Sequence, residues 1–185
     1  MIKFVYFDVG GVVIRDFSET NKWEQFKKDF NLTDEYWDEH EPEFDRGKPL
    51  PNPNLVSEFV KRFEKNETIW PVIEEFKKHF RLGLLTNMYP KMFEEIKQKN
   101  LLPGFEWEII IDSSLEGVGK PDKGIYEIAQ KKAGVKNEEI LFIDNTQKNL
   151  ETAKSLGWRT FLYDSKDYKL SSKNLLEYIN HEFTE

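Results

Sequence analysis

Five short apolar runs recur along the chain, and each stops at a polar residue. Residues 2–7 end at Asp8, residues 82–85 at Thr86 and Asn87, and residues 109–111 at Asp112. Residues 140–143 end at Asp144 and Asn145, and residues 160–163 at Asp164. Short runs that are apolar at nearly every position predict strands buried on both faces, as in a parallel sheet. Between them the apolar residues take helical spacing: Phe93 with Ile96, Ile125 with Ile128 and Ala129, Leu150 with Ala153, and finally Leu175, Leu176 and Ile179. Alternating strands and helices predict an α/β fold with an open parallel sheet. Ligands bind such sheets outside the carboxyl ends of the strands, so topology alone sends Asp8, Thr86, Asp112, Asp144 and Asp164 to one rim.

Residues 18–80 break this rhythm, because they hold no strand-like run. Trp23, Phe26 and Phe30, then Leu55, Phe59 and Phe63, then Ile69, Ile73, Phe76 and Phe80 repeat at helical spacing instead. Four helices are expected, with Thr33 as an N-cap and Pro53 or Asn54 opening a later helix. The reading is a sheet-and-helix core from residues 1–16 and 81–185, carrying a helical insert at 17–80.

Lys plus Arg total 27 against 34 Asp plus Glu, a formal charge of -7, which disfavours nucleic acid as a partner. No apolar stretch approaches the roughly 18 residues of a membrane span, and Met1 leads into a strand without a leader pattern. A cytoplasmic protein is expected. With 0 Cys, disulfides, thiolate metal sites and Cys nucleophiles are excluded, and folding rests on burying 15 Phe, 7 Tyr and 5 Trp.

The chemistry is expected at the rim. Asp8 precedes Gly10-Gly11, whose backbone can approach a phosphate closely. Asp144 shares that rim, and two converging carboxylates need a positive charge between them or a proton. With oxygen ligands only, Mg²⁺ held by the carboxylates, a carbonyl and waters fits better than Zn²⁺. Lys120, in Gly-Val-Gly-Lys-Pro, is a cation in a shaped loop that can neutralise a phosphoryl group.

On Phe7-Asp8-Val9-Gly10-Gly11-Val12, Leu84-Leu85-Thr86-Asn87, residues 117–126, and Phe142-Ile143-Asp144-Asn145 with Asn149 and Gly157, the chain resembles the haloacid dehalogenase-like hydrolases, in their phosphatase branch with a small helical cap. The resemblance implies a Rossmann-like core, a cap made by residues 17–80, and an Asp8 nucleophile that forms an aspartyl-phosphate. It assigns Mg²⁺ to Asp8, the Gly10 carbonyl, Asp144 and Asn145. It assigns the small phosphorylated substrate to Gly10, Gly11, Thr86, Asn87 and Lys120, with Thr86 and Lys120 serving catalysis. Arg46 and Lys48, in a polar segment like those by which related caps face the site, are expected to touch the rest of the substrate.

Two positions depart from the commonest family pattern. Gly10 stands where most family phosphatases carry an acid and base, although a subset similar to sugar-1-phosphate phosphatases also has Gly there. Asn145 stands where a further carboxylate is frequent. The gap at Gly10 predicts a preference for good leaving groups, and Asp16 is the nearest stand-in acid. Two other readings share the motifs: a metal-free 2-haloacid dehalogenase, against which Asp144 counts, and a catalytically silent binding protein. Tyr36, Trp37 and Phe44 belong to the pocket or to the core of the cap. His40, His79 and His181 lack ligand spacing.

Overall fold

The computed structural model describes residues 1–17 and 20–182, with side chains to residue 180. In chain order, β1 (Phe4–Phe7) and the two-residue β2 (Ile14–Arg15) lead into α1 (Asn21–Phe30), α2 (Asp34–Phe44), α3 (Leu55–Arg62), β3 (Glu64–Lys65) and α4 (Trp70–Phe76). There follow β4 (Arg81–Thr86), α5 (Met92–Gln98), β5 (Ile109–Asp112), α6 (Ser113–Glu116), α7 (Lys123–Ala133), β6 (Ile140–Asp144), α8 (Gln147–Ser155), β7 (Arg159–Leu162) and α9 (Tyr168–Glu182).

The main sheet runs β5-β4-β1-β6-β7, every pairing parallel, so the fold is α/β with a Rossmann-type parallel sheet. All five expected strands are present. Alternating side chains feed two cores: Val5, Phe7, Leu84 and Ile143 face one side, and Phe4, Tyr6, Leu85 and Phe142 the other. The second side is closed by Ile125, Tyr126 and Ala129 of α7 and by Leu150 and Ala153 of α8. Tyr6 stays buried there because its hydroxyl donates to the Ala129 carbonyl at 2.8 Å, leaving no polar group unpaired.

β1 is central, with β4 on one side and β6 on the other, so the chain reverses its direction of travel across the sheet beside β1. Phe7 lies in register with Leu84 and Ile143. The next residue, Asp8, therefore leaves the sheet beside Asp144, and its N–H donates to the Ile143 carbonyl at 2.9 Å.

The insert is less uniform than its periodicity predicts. α1, α2 and α3 share an aromatic cluster, with the Phe26 and Phe59 ring centroids 4.3 Å apart and those of Trp37 and Phe59 5.3 Å apart. Thr33 caps α2 as expected, accepting from the Tyr36 N–H at 3.1 Å. α4 instead packs on the sheet, where Phe76 meets Phe7 at 5.9 Å between centroids. The segment from α1 to α3 lies between β2 and β3 in the chain. Its two ends are tied by an antiparallel ladder of β2 with β3, Ile14 opposite Lys65 and Arg15 opposite Glu64. Two residues are too few to show alternation, so sequence periodicity misses this ladder. Among the described residues, no helix is long and apolar enough to cross a membrane.

Candidate active site

Three strand ends deliver the central residues. Asp8 follows β1, Thr86 ends β4 and Asp144 ends β6, and all three are buried although polar. Lys120, from the loop before α7, joins them. Its ammonium lies 2.9 Å from Asp8 Oδ1 and 2.7 Å from Asp144 Oδ2, with its side chain 2% exposed. The positive charge that two converging carboxylates require is therefore supplied in part by the protein itself.

Each carboxylate is also oriented by neutral donors. The Val9 N–H donates to Asp8 Oδ1 at 2.7 Å, the Thr146 N–H to Asp144 Oδ1 at 2.7 Å, and Asn149 Nδ2 to Asp144 Oδ2 at 3.1 Å. Burial, reinforced by Asp144, pushes the Asp8 carboxyl up to about 6 against the opposing pull of Lys120. For Lys120, burial alone would lower the ammonium, but Asp144 and Asp8 together hold it above its usual value. The three side chains form one buried, mutually bonded cluster at the edge of the sheet.

Asn87 fixes the lysine loop. It accepts from the Lys120 N–H at 2.8 Å and donates to the Lys120 carbonyl at 2.9 Å. The same amide nitrogen donates to Asp45 Oδ2, at the end of α2, at 2.9 Å, so the residue that holds Lys120 also meets the insert. Tyr89 makes a second link, its hydroxyl donating to Glu41 Oε1 at 2.7 Å. Burial and the neighbouring Glu41 raise the Asp45 carboxyl to about 7, with Asn87 and Lys120 opposing.

These residues enclose a cavity of about 600 Å³ between the rim and the insert. Asp8, Gly10, Thr86, Asn87, Lys120 and Asn145 all line it. Three of the expected contact residues stand outside this lining. Gly11 has φ +77°, and a Cβ there would meet Asn145 Nδ2 at 2.1 Å, so packing by itself requires glycine. Arg46 and Lys48 are exposed outside the cavity. Arg46 donates to the Pro42 carbonyl at 3.1 Å, and Lys48 pairs with Glu43, because the turn after α2 points both stems outward and only Asp45 inward.

Other residues were less legible. Asp38 and Glu41, which also line the cavity, share the helical spacing of Asp45, a carboxylate stripe that the apolar pattern does not reveal. Asp16 lines the cavity as well, with its Oδ2 against the site of a Gly11 Cβ. Asp112 and Asp164 are turn formers, accepting from the Ser114 and Lys166 N–H groups. Trp37 serves both roles expected of it, lying in the insert core and on the cavity wall. His40 stacks on Tyr36, His79 faces Glu75, and His181 lies outside the described side chains.

The donor set suits a hard cation. One ammonium against two carboxylates leaves a net negative charge at the rim, and every candidate ligand atom is oxygen. Among the described residues, no three His, Cys, Asp or Glu side chains cluster as a metal cage. Carboxylates with a backbone carbonyl and waters suit Mg²⁺ better than Zn²⁺.

A family model described as haloacid dehalogenase-like hydrolase matches residues 2–157. Over 84 residues the chain is 30% identical to mouse (Mus musculus) acyl-CoA dehydrogenase family member 10, a match covering 44% of this chain and 8% of that protein. The chain therefore spans under a tenth of that curated relative. The fold is similar to that of a HAD family enzyme from Bacteroides thetaiotaomicron in complex with magnesium and inorganic phosphate, with a TM-score of 0.75, 18% identity, and 90% of this chain and 96% of that one covered. It is also similar to a 2-haloacid dehalogenase from Pseudomonas syringae pv. Tomato DC3000, with a TM-score of 0.67, 15% identity, and 97% and 99% covered. With its four motifs gathered at one rim and the family match running over most of its length, the chain belongs to the haloacid dehalogenase-like hydrolases.

Proposed function

We propose that the chain is a Mg²⁺-dependent phosphatase that hydrolyses a small phosphorylated metabolite in the cytoplasm through an aspartyl-phosphate. The observation that carries this reading is the clamp of Asp8 and Asp144 on Lys120 at the floor of the cavity. Asp8 attacks phosphorus, a P–O bond to Asp8 forms, and the ester P–O bond breaks to release the alcohol oxygen, which takes a proton. Water then attacks the acyl phosphate, giving inorganic phosphate and restoring the Asp8 carboxylate. Thr86 and Lys120 donate to phosphoryl oxygens as charge develops on them. Asp8, the Gly10 carbonyl, Asp144 and Asn145 would hold Mg²⁺, which when bound offsets the charge of the phosphoryl group and the two carboxylates.

Gly10 provides no proton for the departing oxygen. This favours leaving groups that need little help, such as anomeric, acyl or aryl phosphates. The complex of the Bacteroides thetaiotaomicron neighbour with magnesium and inorganic phosphate supports phosphate chemistry. So does Asp144, since a second carboxylate beside the nucleophile suits a cation-bearing site better than attack on carbon.

The test is hydrolysis of p-nitrophenyl phosphate with Mg²⁺, with EDTA, and by Asp8→Asn, alongside chloride release from 2-chloropropionate. Turnover is expected only for the parent protein with Mg²⁺, while Asp8→Asn keeps its fold by circular dichroism. Hydrolysis by Asp8→Asn, or halide release, would overturn the reading.

A further inference from the structure

The two ends of the cavity differ in charge: one holds both signs, the other carboxylates alone. At the sheet end, Lys120 and Lys148 are the cations of the lining, and Lys120 is already engaged by Asp8 and Asp144. The end formed by the insert contributes Asp38, Glu41 and Asp45 but no Lys or Arg. Asp38, Glu41 and Asp45 fall at i, i+3 and i+7 along α2 and its end, which puts them on one face. Around them stand the rings of Phe17, Trp23, Trp37, Phe59, Phe63 and Tyr89.

Resting on the phosphatase reading, we propose that the alcohol part of the substrate carries an ammonium group, which this acidic, aromatic end of the cavity receives. Ionised carboxylates accept hydrogen bonds but cannot donate them, and the Tyr89 hydroxyl is committed to Glu41. A neutral polyol needs donors as well as acceptors and finds few here. A second phosphate or a carboxylate on the substrate meets only like charge. An ammonium satisfies the acceptors, and ring faces within about 6 Å add cation–π attraction. Tyr89 and Asn87 orient Glu41 and Asp45 with uncharged donors.

Three aryl esters of one size form the test, all with Mg²⁺: p-(aminomethyl)phenyl phosphate (cationic), p-(hydroxymethyl)phenyl phosphate (neutral) and p-carboxyphenyl phosphate (anionic). p-Nitrophenyl phosphate serves as the reference for phosphatase activity. The expected order of kcat/KM is cationic over neutral over anionic, with at least about tenfold between the first two, the scale of a desolvated cation–π contact plus one close ion pair. In Asp38→Asn/Glu41→Gln the cationic-to-neutral ratio falls to within about threefold of unity; exposed Asp38→Asn alone lowers it in part should the double variant misfold. Equal or reversed preference with p-nitrophenyl phosphate still hydrolysed overturns the ammonium proposal and leaves the phosphatase reading standing. An unchanged ratio in the variants overturns it too. Failure to hydrolyse p-nitrophenyl phosphate at all removes the phosphatase reading, and the proposal with it.

Discussion

Replacing Lys120 by Met keeps most of the side-chain volume and removes the charge between two buried carboxylates. Asp144 is 0% exposed at its side chain and Asp8 12%, so neither can recover its lost partner from water. Breaking a buried ion pair from one side typically costs about 3–5 kcal/mol. For a chain of this size that corresponds to a fall in Tm of roughly 10 °C. The cost must also depend on pH, with a definite sign. Asp8 already has a raised carboxyl in the folded protein, at about 6, and Lys120 is the group that restrains it. Without Lys120 it rises further. A carboxyl raised on folding loses stability as pH climbs from its unfolded value near 4 through its folded one. At low pH Asp8 takes a proton and the repulsion from Asp144 is relieved, so the penalty is smaller at pH 5 than at pH 8. Urea unfolding in EDTA at both pH values measures it, and a second substitution, Asp144→Asn, should recover at least about 1 kcal/mol at pH 8. A loss below about 1 kcal/mol at pH 8, or equal losses at the two pH values, would refute the mutual dependence of the three buried charges.

The same logic applies to Asp45→Asn, which keeps an acceptor for Asn87. The parent loses stability as pH rises toward and past about 7, so the variant should gain on it by about 1–3 kcal/mol between pH 5 and pH 8.5, read from paired unfolding curves. Gly10→Asp introduces a carboxylate where no atom lies within 4 Å of the new Cβ. It should fold, and should raise turnover of simple alkyl phosphates at least about tenfold, within the 10²–10⁴ range of a positioned acid and base, while aryl phosphates change little. Gly47→Ala puts a Cβ 2.5 Å from the Ser114 carbonyl oxygen at φ +97°. Backbone strain of that kind costs about 1–3 kcal/mol, and since the contact joins insert to core, the melting curve should shift without any loss of α-helical signal.

Much of this protein can be read from its linear pattern because burial in a parallel sheet leaves a local mark. The runs before Asp8, Thr86, Asp112, Asp144 and Asp164 are apolar on both faces, and β1, β4, β5, β6 and β7 lie where those runs predict. Since each strand ends at the same rim, the gathering of Asp8, Thr86 and Asp144 follows from the order of the elements. The cap of α2 at Thr33 is local too, as one hydroxyl and one N–H three residues on decide it.

Tertiary structure decided what depends on which way a side chain turns once distant segments meet. Lys120 reaches both carboxylates only because Asn87, 33 residues away, holds its backbone from two sides. The turn after α2 sends Asp45 inward and Arg46 and Lys48 outward, a choice of direction within four residues that composition cannot express. Gly11 is a glycine because Asn145 lies against it, and α4 joins the sheet because Phe7 offers Phe76 a surface. Strand and helix identity is carried by neighbours in the chain, whereas the charge and shape of the cavity arise from residues that share no segment, and only the folded arrangement brings them face to face.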